Sequence, residues 1–329
     1  MNTRKLIDIL AKVVLPLVLA VAILWWMYRG LQWEQLRHIL TGGMSWTWML
    51  LSMPFGILAQ VLRGMRWQQV MRPMGERPRL HTCVNAVFLS YASSLVVPRV
   101  GEVLRCGVLR RYEGTNFGRS VGTVVTERVV DMALVVVLSL AVFLSQVPVF
   151  VTFFHATGVS LGGFLSSFSP AGWAVTVACA AFLALALLVL LRRVGLFSRT
   201  RAVLADLRDG LLSVRQVGSP MLFLLYSLGI WVCYFLHFYL TFFCFAATSS
   251  LGVMAALVAF VVGTFAVLVP TPNGAGPWHF AVKSVLVLYA VPQTDAAFFV
   301  LIVHTLQTLL VVLLGLYALL ALAFTRRRI

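Results

Sequence analysis

The sequence predicts an all-α, polytopic integral membrane protein with about six full spans and two opposed re-entrant or broken-helix elements. Hydrophobic residues make up 61% of the chain and charged residues only 11%, and the mean hydropathy is +0.96. Apolar runs of about 20 residues, each long enough to cross a bilayer, recur along the whole chain. Basic residues cluster in the short loops between these runs, as they do in cytoplasmic loops of membrane proteins.

Composition also bounds the domain organisation. No stretch has the composition of a separate soluble domain, so residues 1–329 are predicted to form a single transmembrane domain. The formal charge of +16 does not indicate nucleic-acid binding, because the basic residues lie where cytoplasm and anionic headgroups meet the protein. The first run lacks a small-residue cleavage site and is predicted to remain as a span. The five cysteines form no CxxC pair, so we expect buried apolar side chains and no metal or cofactor.

The elements follow in order from the apolar runs and the loops that join them. The runs lie at 13–28, 46–62, 82–98, 121–144, 173–191, 221–246, 252–269, 276–291 and 296–323. Basic clusters lie near residues 63–79, 99–119, 192–215 and 326–328. By the positive-inside rule these clusters and both termini face the cytoplasm, which predicts a plasma (inner) membrane protein. The 145–172 connection carries no Lys, Arg, Asp or Glu and is predicted to lie outside.

Two regions do not fit simple crossings. Run 82–98 lies between two basic clusters, so a re-entrant element near 82–105 that returns to the cytoplasmic side is predicted. The region 252–291 is predicted to be its opposite, with both ends outside. Its inner tip at 269–279 contains three prolines and two glycines, which interrupt a helix. Such backbone at membrane depth lines a cavity or is buried in protein, and opposed elements suggest an inverted repeat. The alternative is a surface loop between two short spans.

Two of the ten acidic residues lie inside an apolar run. Glu127 and Asp131 are four residues apart and share a helix face, and Arg128 is three residues from Asp131. Asp131 lies roughly 15 Å along the run that begins at Val121. Because unpaired charge in lipid is costly, these groups are predicted to face an interior cavity or one another. The alternative is a structural ion pair that joins helices.

Charged residues also follow the first break in the chain. Arg99, Glu102 and Arg105 are spaced by threes and stack along one face of a helix. The free N–H groups at the start of such a helix favour phosphate. Arg63 and Arg66 end the second apolar run, and they are predicted either to contact substrate or to anchor the span in lipid headgroups.

The second break offers a comparable helix start. Asn273 and Gly274 belong to the break, and Gly276 opens a helix in which His279 follows. Lys283 lies one turn later, and it either adds positive charge to this site or extends to the membrane interface. Two helix starts that point into the membrane from opposite sides would form a phosphate-binding centre.

These motifs together resemble the flippase-like transmembrane family of lysylphosphatidylglycerol synthases, which includes the membrane domain of the multiple peptide resistance factor. The motifs are Arg63-x-x-Arg66-Trp67, Pro98-Arg99-x-Gly101-Glu102-x-x-Arg105, Glu127-Arg128-x-x-Asp131 and Pro270-Thr271-Pro272-x-Gly274-x-Gly276. The resemblance implies a polar cavity that carries a lipid headgroup across the bilayer while the tails stay in lipid. It implies substrate contacts at Arg63, Arg66, Arg99, Glu102, Arg105, Glu127, Arg128, Asp131, Asn273, Gly274, Gly276, His279 and Lys283.

This chain departs from the family pattern at the last motif. Asn273 replaces a glycine of that motif, and His279 stands where the family usually has a glutamate. A histidine can titrate near neutral pH, so substrate charge or proton coupling is expected to differ. The chain also lacks the soluble aminoacyltransferase domain of full-length synthases, so it is not expected to make aminoacyl lipids by itself.

The expected function is therefore that of a lipid flippase or translocator, not an enzyme. Its expected partner is an anionic or aminoacylated phospholipid or a polyprenyl-phosphate-linked lipid, and a second copy of the chain or a biosynthetic enzyme is a further candidate. The alternatives are an accessory or transferase protein that acts on a polyprenyl-phosphate lipid, and a scaffold for a membrane enzyme.

Overall fold

The computed structural model describes residues 15–29, 33–97, 100–157, 218–269 and 271–328. This part of the chain is almost wholly helical and contains no strand, which confirms the predicted all-α class. Four of its helical segments are long and apolar enough to cross a membrane, namely Trp46–Met74, Phe117–Gln146, Pro220–Cys244 and Gln293–Ala323. The predicted run 173–191 and the basic cluster near 192–215 lie outside the described residues.

The described helices agree closely with the predicted runs. They are α1 (Leu15–Tyr28), α2 (Trp33–His38), α3 (Trp46–Met71), α4 (Leu80–Ser94), α5 (Val100–Glu113), α6 (Phe117–Thr157), α7 (Pro220–Tyr239), α8 (Ala246–Ser249), α9 (Val253–Ala266), α10 (Pro277–Leu288) and α11 (Gln293–Ala323). Short 3-10 turns follow α3 and α7, at Arg72–Met74 and Leu240–Cys244, and another lies within the break before α10, at Pro272–Gly274. Proline occupies the first turn of α7 and of α10, where its missing N–H costs no hydrogen bond.

Helices α4 and α5 form an antiparallel hairpin. Gly101, near the start of α5, lies so close to the Ser90 carbonyl near the end of α4 that a Cβ atom would overlap it. At the opposite end of the hairpin, Arg79 Nε donates to Glu113 Oε1 at 2.7 Å, and Glu113 ends α5. The C-terminal end of α11 meets the same end, since Arg79 Nη2 donates to the Arg326 carbonyl at 2.7 Å. Both ends of this hairpin therefore lie at one end of the bundle.

Helices α9 and α10 form a second antiparallel hairpin. Gly263, near the end of α9, lies against Trp278 near the start of α10, so the two helices approach closely there. The connection between them turns sharply through Asn273, Gly274 and Gly276, whose φ angles are 51°, 72° and 88°. These left-handed conformations suit glycine, and asparagine is one of the few other residues that tolerates them.

The two hairpins enter the bundle from opposite ends, and α11 contacts both tips. Ala92, near the tip of the first hairpin, lies against Gly315 of α11. His304 of α11 contacts the carbonyl of Asn273, at the tip of the second hairpin, over 3.1 Å. The two α11 residues are separated by roughly 16 Å along the helix. The tips therefore approach each other inside the bundle.

The apolar core surrounds these hairpins in two main clusters. One contains the aromatic rings of Phe238, Phe242 and Phe299, which pack edge to face between α7, the turn after it and α11. The other packs Trp67 of α3 against the first hairpin and α6. Cys83, Cys106, Cys233 and Cys244 are buried free thiols, as predicted, and Cys179 lies outside the described residues.

Candidate functional site

Five charged side chains from three helices meet in a buried network. Asp131 of α6 accepts hydrogen bonds from Arg63 Nη1 at 2.8 Å and from Arg66 Nη1 at 2.7 Å. Glu127, one turn earlier on α6, accepts from Arg105 Nη2 of α5 at 2.7 Å. The i,i+4 spacing of the two carboxylates therefore presents them to α3 and α5 at once.

The network is closed to solvent and carries an excess of positive charge. None of its five side chains is more than 6% exposed. Each of the three guanidinium groups contacts a carboxylate, but only two carboxylates are present among the described residues, so the five side chains carry a net charge of +1. A buried charge is costly unless it is paired, so this surplus makes an anion a favourable occupant of the site.

Several polar atoms of the network have no hydrogen-bond partner among the described residues. They are Arg63 Nε, Arg66 Nε, Arg66 Nη2, Arg105 Nε and Glu127 Oε1. Two of these atoms face each other, since Arg66 Nε and Glu127 Oε1 are 3.6 Å apart. Most of the unpartnered atoms are donors, and buried donors without acceptors are rare in folded proteins. The chemistry of the site therefore favours a ligand that supplies acceptor oxygens.

Uncharged side chains hold the arginines in place. The Arg105 guanidinium lies 4.5 Å from the centre of the Trp67 ring, and Trp67 Nε1 donates to the Thr123 hydroxyl at 2.9 Å. Tyr91 and Tyr234 share a hydrogen bond of 2.8 Å, and both rings lie within 6.0 Å of the Arg63 guanidinium. The positions of these rings fix the geometry of the arginines and keep lipid away from them.

Arg63 and Arg66 do not anchor the span at a membrane interface, so that alternative is wrong. Helix α3 continues to Met71 beyond the predicted end of the run at residue 62, and this places both arginines inside a helix. Arg66 and Trp67 are fully buried. Anchoring needs an exposed side chain at the interface, whereas the two arginines contact side chains of α6 and α7.

Arg128 does not pair with Asp131, which lies three residues away on the same helix, but with Glu102 of α5. Its Nε atom lies 2.7 Å from Glu102 Oε1 of α5, not beside Asp131. Both side chains are partly exposed, at 44% and 35%. Glu102 and Arg105 therefore both contact α6, at the consecutive residues 128 and 127, and only Arg105 belongs to the buried network. The predicted site residue Arg99 lies outside the described residues.

The second hairpin tip gathers the other predicted residues around two histidines. The rings of His279 and His304 lie 4.3 Å apart, and His304 contacts the Asn273 carbonyl. His279 is buried, and its Nδ1 lies 3.4 Å from the N–H of Gly276. Only an unprotonated Nδ1 can accept this hydrogen bond. Gly274 supplies the turn, and Lys283 is partly buried without an ion-pair partner among the described residues.

The two groups of residues are separate in this structure. No hydrogen bond or ion pair of the described residues joins the second tip to the charge network. Helix α7 lies between them, because Tyr234 contacts Arg63 and the His237 carbonyl accepts from Gln307 Nε2 of α11 at 3.3 Å. His237 and His304 are hydrogen-bonded helix residues, His237 to the Ser52 carbonyl and His304 to the Asn273 carbonyl. The part of the chain that the structure describes holds no group of three or more His, Cys, Asp or Glu side chains able to bind a metal.

Sequence reasoning missed the uncharged members of the network. Tyr91, Tyr234 and Ser227 contact the arginines, and Ser227 accepts from Arg66 Nη1 at 3.1 Å. Serine and tyrosine are common in apolar helices, and Ser227 is 161 residues from Arg66 in the chain. No local pattern therefore identifies these partners.

Comparison with known proteins gives one match. The family model described as lysylphosphatidylglycerol synthase TM region matches residues 13–315, which is most of the chain. The match contains every motif discussed above. No curated protein and no solved structure gives a significant match.

Proposed function

Since the chain belongs to the lysylphosphatidylglycerol synthase transmembrane family, we propose that it is a lipid flippase that moves a headgroup through the buried charge network. Membership makes it an integral membrane protein of lipid metabolism or transport. The proposal goes further and specifies the transported headgroup, the residues that contact it and the helices that separate to let it pass.

The surplus positive charge of the network is the observation that carries this proposal. Three buried arginines face two buried carboxylates, and several arginine N–H groups have no acceptor among the described residues. A lipid phosphate supplies a negative charge that balances the positive surplus, and its oxygens accept hydrogen bonds from the arginine N–H groups. Arginine is well suited to this role because its planar group donates to two phosphate oxygens at once.

The network must open for a headgroup to pass. Glu102 and Arg128 are partly exposed beside it, and their ion pair of 2.7 Å joins α5 to α6. We infer that this pair separates when a headgroup enters between the two helices. An exposed ion pair is worth less than about 1 kcal/mol, so a headgroup phosphate that binds Arg128 readily replaces it.

The two hairpins supply a route from each side. We propose that α4–α5 and α9–α10 are re-entrant elements of the bilayer, with the bases of the first hairpin and both chain termini on the cytoplasmic side. Opposed elements of this kind allow alternating access to a central site, because one hairpin opens while the other stays closed. Residues of the second tip, including Asn273, Gly276 and His279, then line the path beyond the network.

Reconstitution of the purified full chain tests the proposal. Liposomes are prepared with a phospholipid that carries a fluorescent acyl label, and dithionite is added outside to quench the outer leaflet. The protein is expected to expose the inner-leaflet label to quenching, whereas protein-free liposomes are not. Mass spectrometry of the same lipid is expected to show no covalent change. Chemical modification of the lipid would instead support the transferase alternative, and an unquenched inner leaflet would contradict translocation.

A further inference from the structure

A groove on the opposite side of α3 from the charge network is a second candidate lipid site. It has a volume of about 870 Å³ and lies between α3, α4 and α11. Its lining is mainly apolar and includes Val61, Phe88 and Leu314. Arg79 and His81 lie at one end of the groove, and Asn85 lies between that end and Phe88 along α4. Ligand sites in proteins have volumes of roughly 300–1,000 Å³, so the groove is large enough for part of a lipid.

The groove is distinct from the proposed translocation path. On α3, Val61 lines the groove and Gly64, three residues later, lies against Val84 of α4. Arg63 and Arg66 point instead to α6, where they bind Asp131. Residues that differ by two positions on a helix lie on different faces, so Val61 and Arg63 do not share a surface. The groove and the charge network therefore lie on different faces of α3.

Asn85 shows that the groove is built for a polar group as well as for hydrocarbon. Its side chain is 5% exposed and lines the groove, yet it makes no hydrogen bond within the described part of the chain. The amide atoms of Asn85 keep a small accessible area and can therefore bind a molecule in the groove, whereas covering them with hydrocarbon alone would cost about 1–3 kcal/mol. The missing partner is expected to belong to the occupant of the groove.

Arg79 marks the end of the groove where a phosphate would lie. Its Nε and Nη2 atoms donate to Glu113 and to the carbonyls of Tyr112 and Arg326, and Nη1 has no partner among the described residues. Arg328 also approaches Glu113, at 3.9 Å, so two cations share this one carboxylate. The end of the groove therefore carries a surplus of positive charge.

We propose that the groove holds a glycerophospholipid, with its phosphate at Arg79, an ester carbonyl at Asn85 and one acyl chain along Phe88 and Leu314. Asn85 lies six residues beyond Arg79, about 9 Å along α4. The glycerol esters of a phospholipid lie below its phosphate in the same order. A fatty acid or a detergent with a single head at Arg79 would place only methylene groups beside Asn85 and leave the amide without a partner.

A photoactivatable lipid tests this site in the full chain. The protein is placed in nanodiscs that contain a phospholipid with a diazirine on one acyl chain, and the labelled peptides are identified by mass spectrometry after illumination. Label is expected to concentrate on the α4 and α11 peptides that contain Phe88 and Leu314. Asn85→Leu is expected to reduce that label about tenfold, which corresponds to about 1.4 kcal/mol of binding.

The matched control is Ser284→Leu, which also replaces a polar side chain in a helix but lies exposed on α10. It is expected to leave the groove label unchanged. Asn85→Leu removes a side chain that makes no hydrogen bond within the described part of the chain, so it is expected to fold with an unfolding temperature no lower than that of the wild type. Equal groove labelling of Asn85→Leu and wild type would overturn the proposal. Label spread evenly over all lipid-facing helices, or a groove left unlabelled because another segment of the chain fills it, would also overturn it. None of these results depends on whether the protein translocates lipid.

Discussion

Asp131 accepts hydrogen bonds from two arginines of the neighbouring helix, and it is the nearest negative charge to both of them. Replacing it by asparagine leaves Arg63 and Arg66 buried with a neutral partner. Breaking a buried pair in this way costs about 3–5 kcal/mol. We therefore expect Asp131→Asn to lower the free energy of unfolding by about 3 kcal/mol, measured by thermal or denaturant unfolding in detergent.

Glu102→Gln is the control for this prediction, because Glu102 also pairs with an arginine but is partly exposed. Its loss is expected to cost less than about 1 kcal/mol. The double variant Arg63→Gln/Asp131→Asn removes both members of one pair, so it should recover part of the stability lost in Asp131→Asn. If the two changes simply add, Arg63 and Asp131 do not stabilise each other and the assignment of the pair is wrong.

The charged residues of the site were predictable from sequence, whereas their partners were not. Glu127 and Asp131 stand out because acids inside an apolar run are costly and rare. Their spacing also predicted a shared face, which the structure confirms through their contacts with α3 and α5. The choice of partner depends on how helices pack, and for this reason Arg128 binds Glu102 instead of Asp131.

Close packing of the first hairpin depends on one glycine. A Cβ atom on Gly101 would overlap the Ser90 carbonyl of α4, and that carbonyl belongs to the backbone and cannot turn aside. We expect Gly101→Ala to separate α5 from α4, to shift Arg105 relative to Glu127, and to lower the free energy of unfolding by about 1–3 kcal/mol. Thermal unfolding of the purified variant in detergent measures this change.

Gly107→Ala is the matched control on the same helix. A Cβ atom at Gly107 meets nothing within 4 Å, and alanine favours helix over glycine by about 1 kcal/mol. We expect this variant to be as stable as the wild type or more stable. Equal destabilisation by the two substitutions would show that α5 tolerates neither, and that close approach to Ser90 is not the cause.

The broken elements could be located from sequence, but their internal structure could not. The conflict of basic clusters around 82–98 predicted an element with both ends on one side, and α4 and α5 do form a hairpin whose ends meet at Arg79 and Glu113. Sequence placed the Pro/Gly break of the second hairpin correctly. It did not indicate that His279 would accept the N–H of Gly276, because that bond depends on the left-handed turn before α10.

At the scale of the whole molecule, the position of the first hairpin in the bilayer sets the topology. Its two flanking loops, around Arg72 and Arg110, are expected on the same, cytoplasmic side. Single cysteines are introduced at these two positions after the five native cysteines are removed. An impermeant maleimide added to intact cells should label neither position, and a third cysteine at Ser249 of α8, at the other end of the bundle, should react.

Labelling of one loop but not the other from outside the cell would mean that the chain crosses the membrane between them. That result would contradict a re-entrant α4–α5 hairpin. Reaction of both loops from outside would reverse the orientation of the whole protein while leaving the hairpin intact. The two outcomes are therefore distinguishable in one experiment.

The central claim is that the surplus charge of the buried network carries a lipid phosphate across the membrane. Its most direct test is the rate of phospholipid translocation in liposomes that contain Arg105→Gln, which removes that surplus. The control is Arg119→Gln, whose side chain is 58% exposed and lies outside the network. Folding of each variant is checked by size exclusion and thermal unfolding before its rate is compared.

We expect Arg105→Gln to slow translocation at least about tenfold, equivalent to about 1.4 kcal/mol. Arg119→Gln should keep the wild-type rate, because an exposed arginine outside the path neither binds the phosphate nor holds the network together. A folded Arg105→Gln protein that moves lipid as fast as the wild type would contradict the claim that the network carries the headgroup.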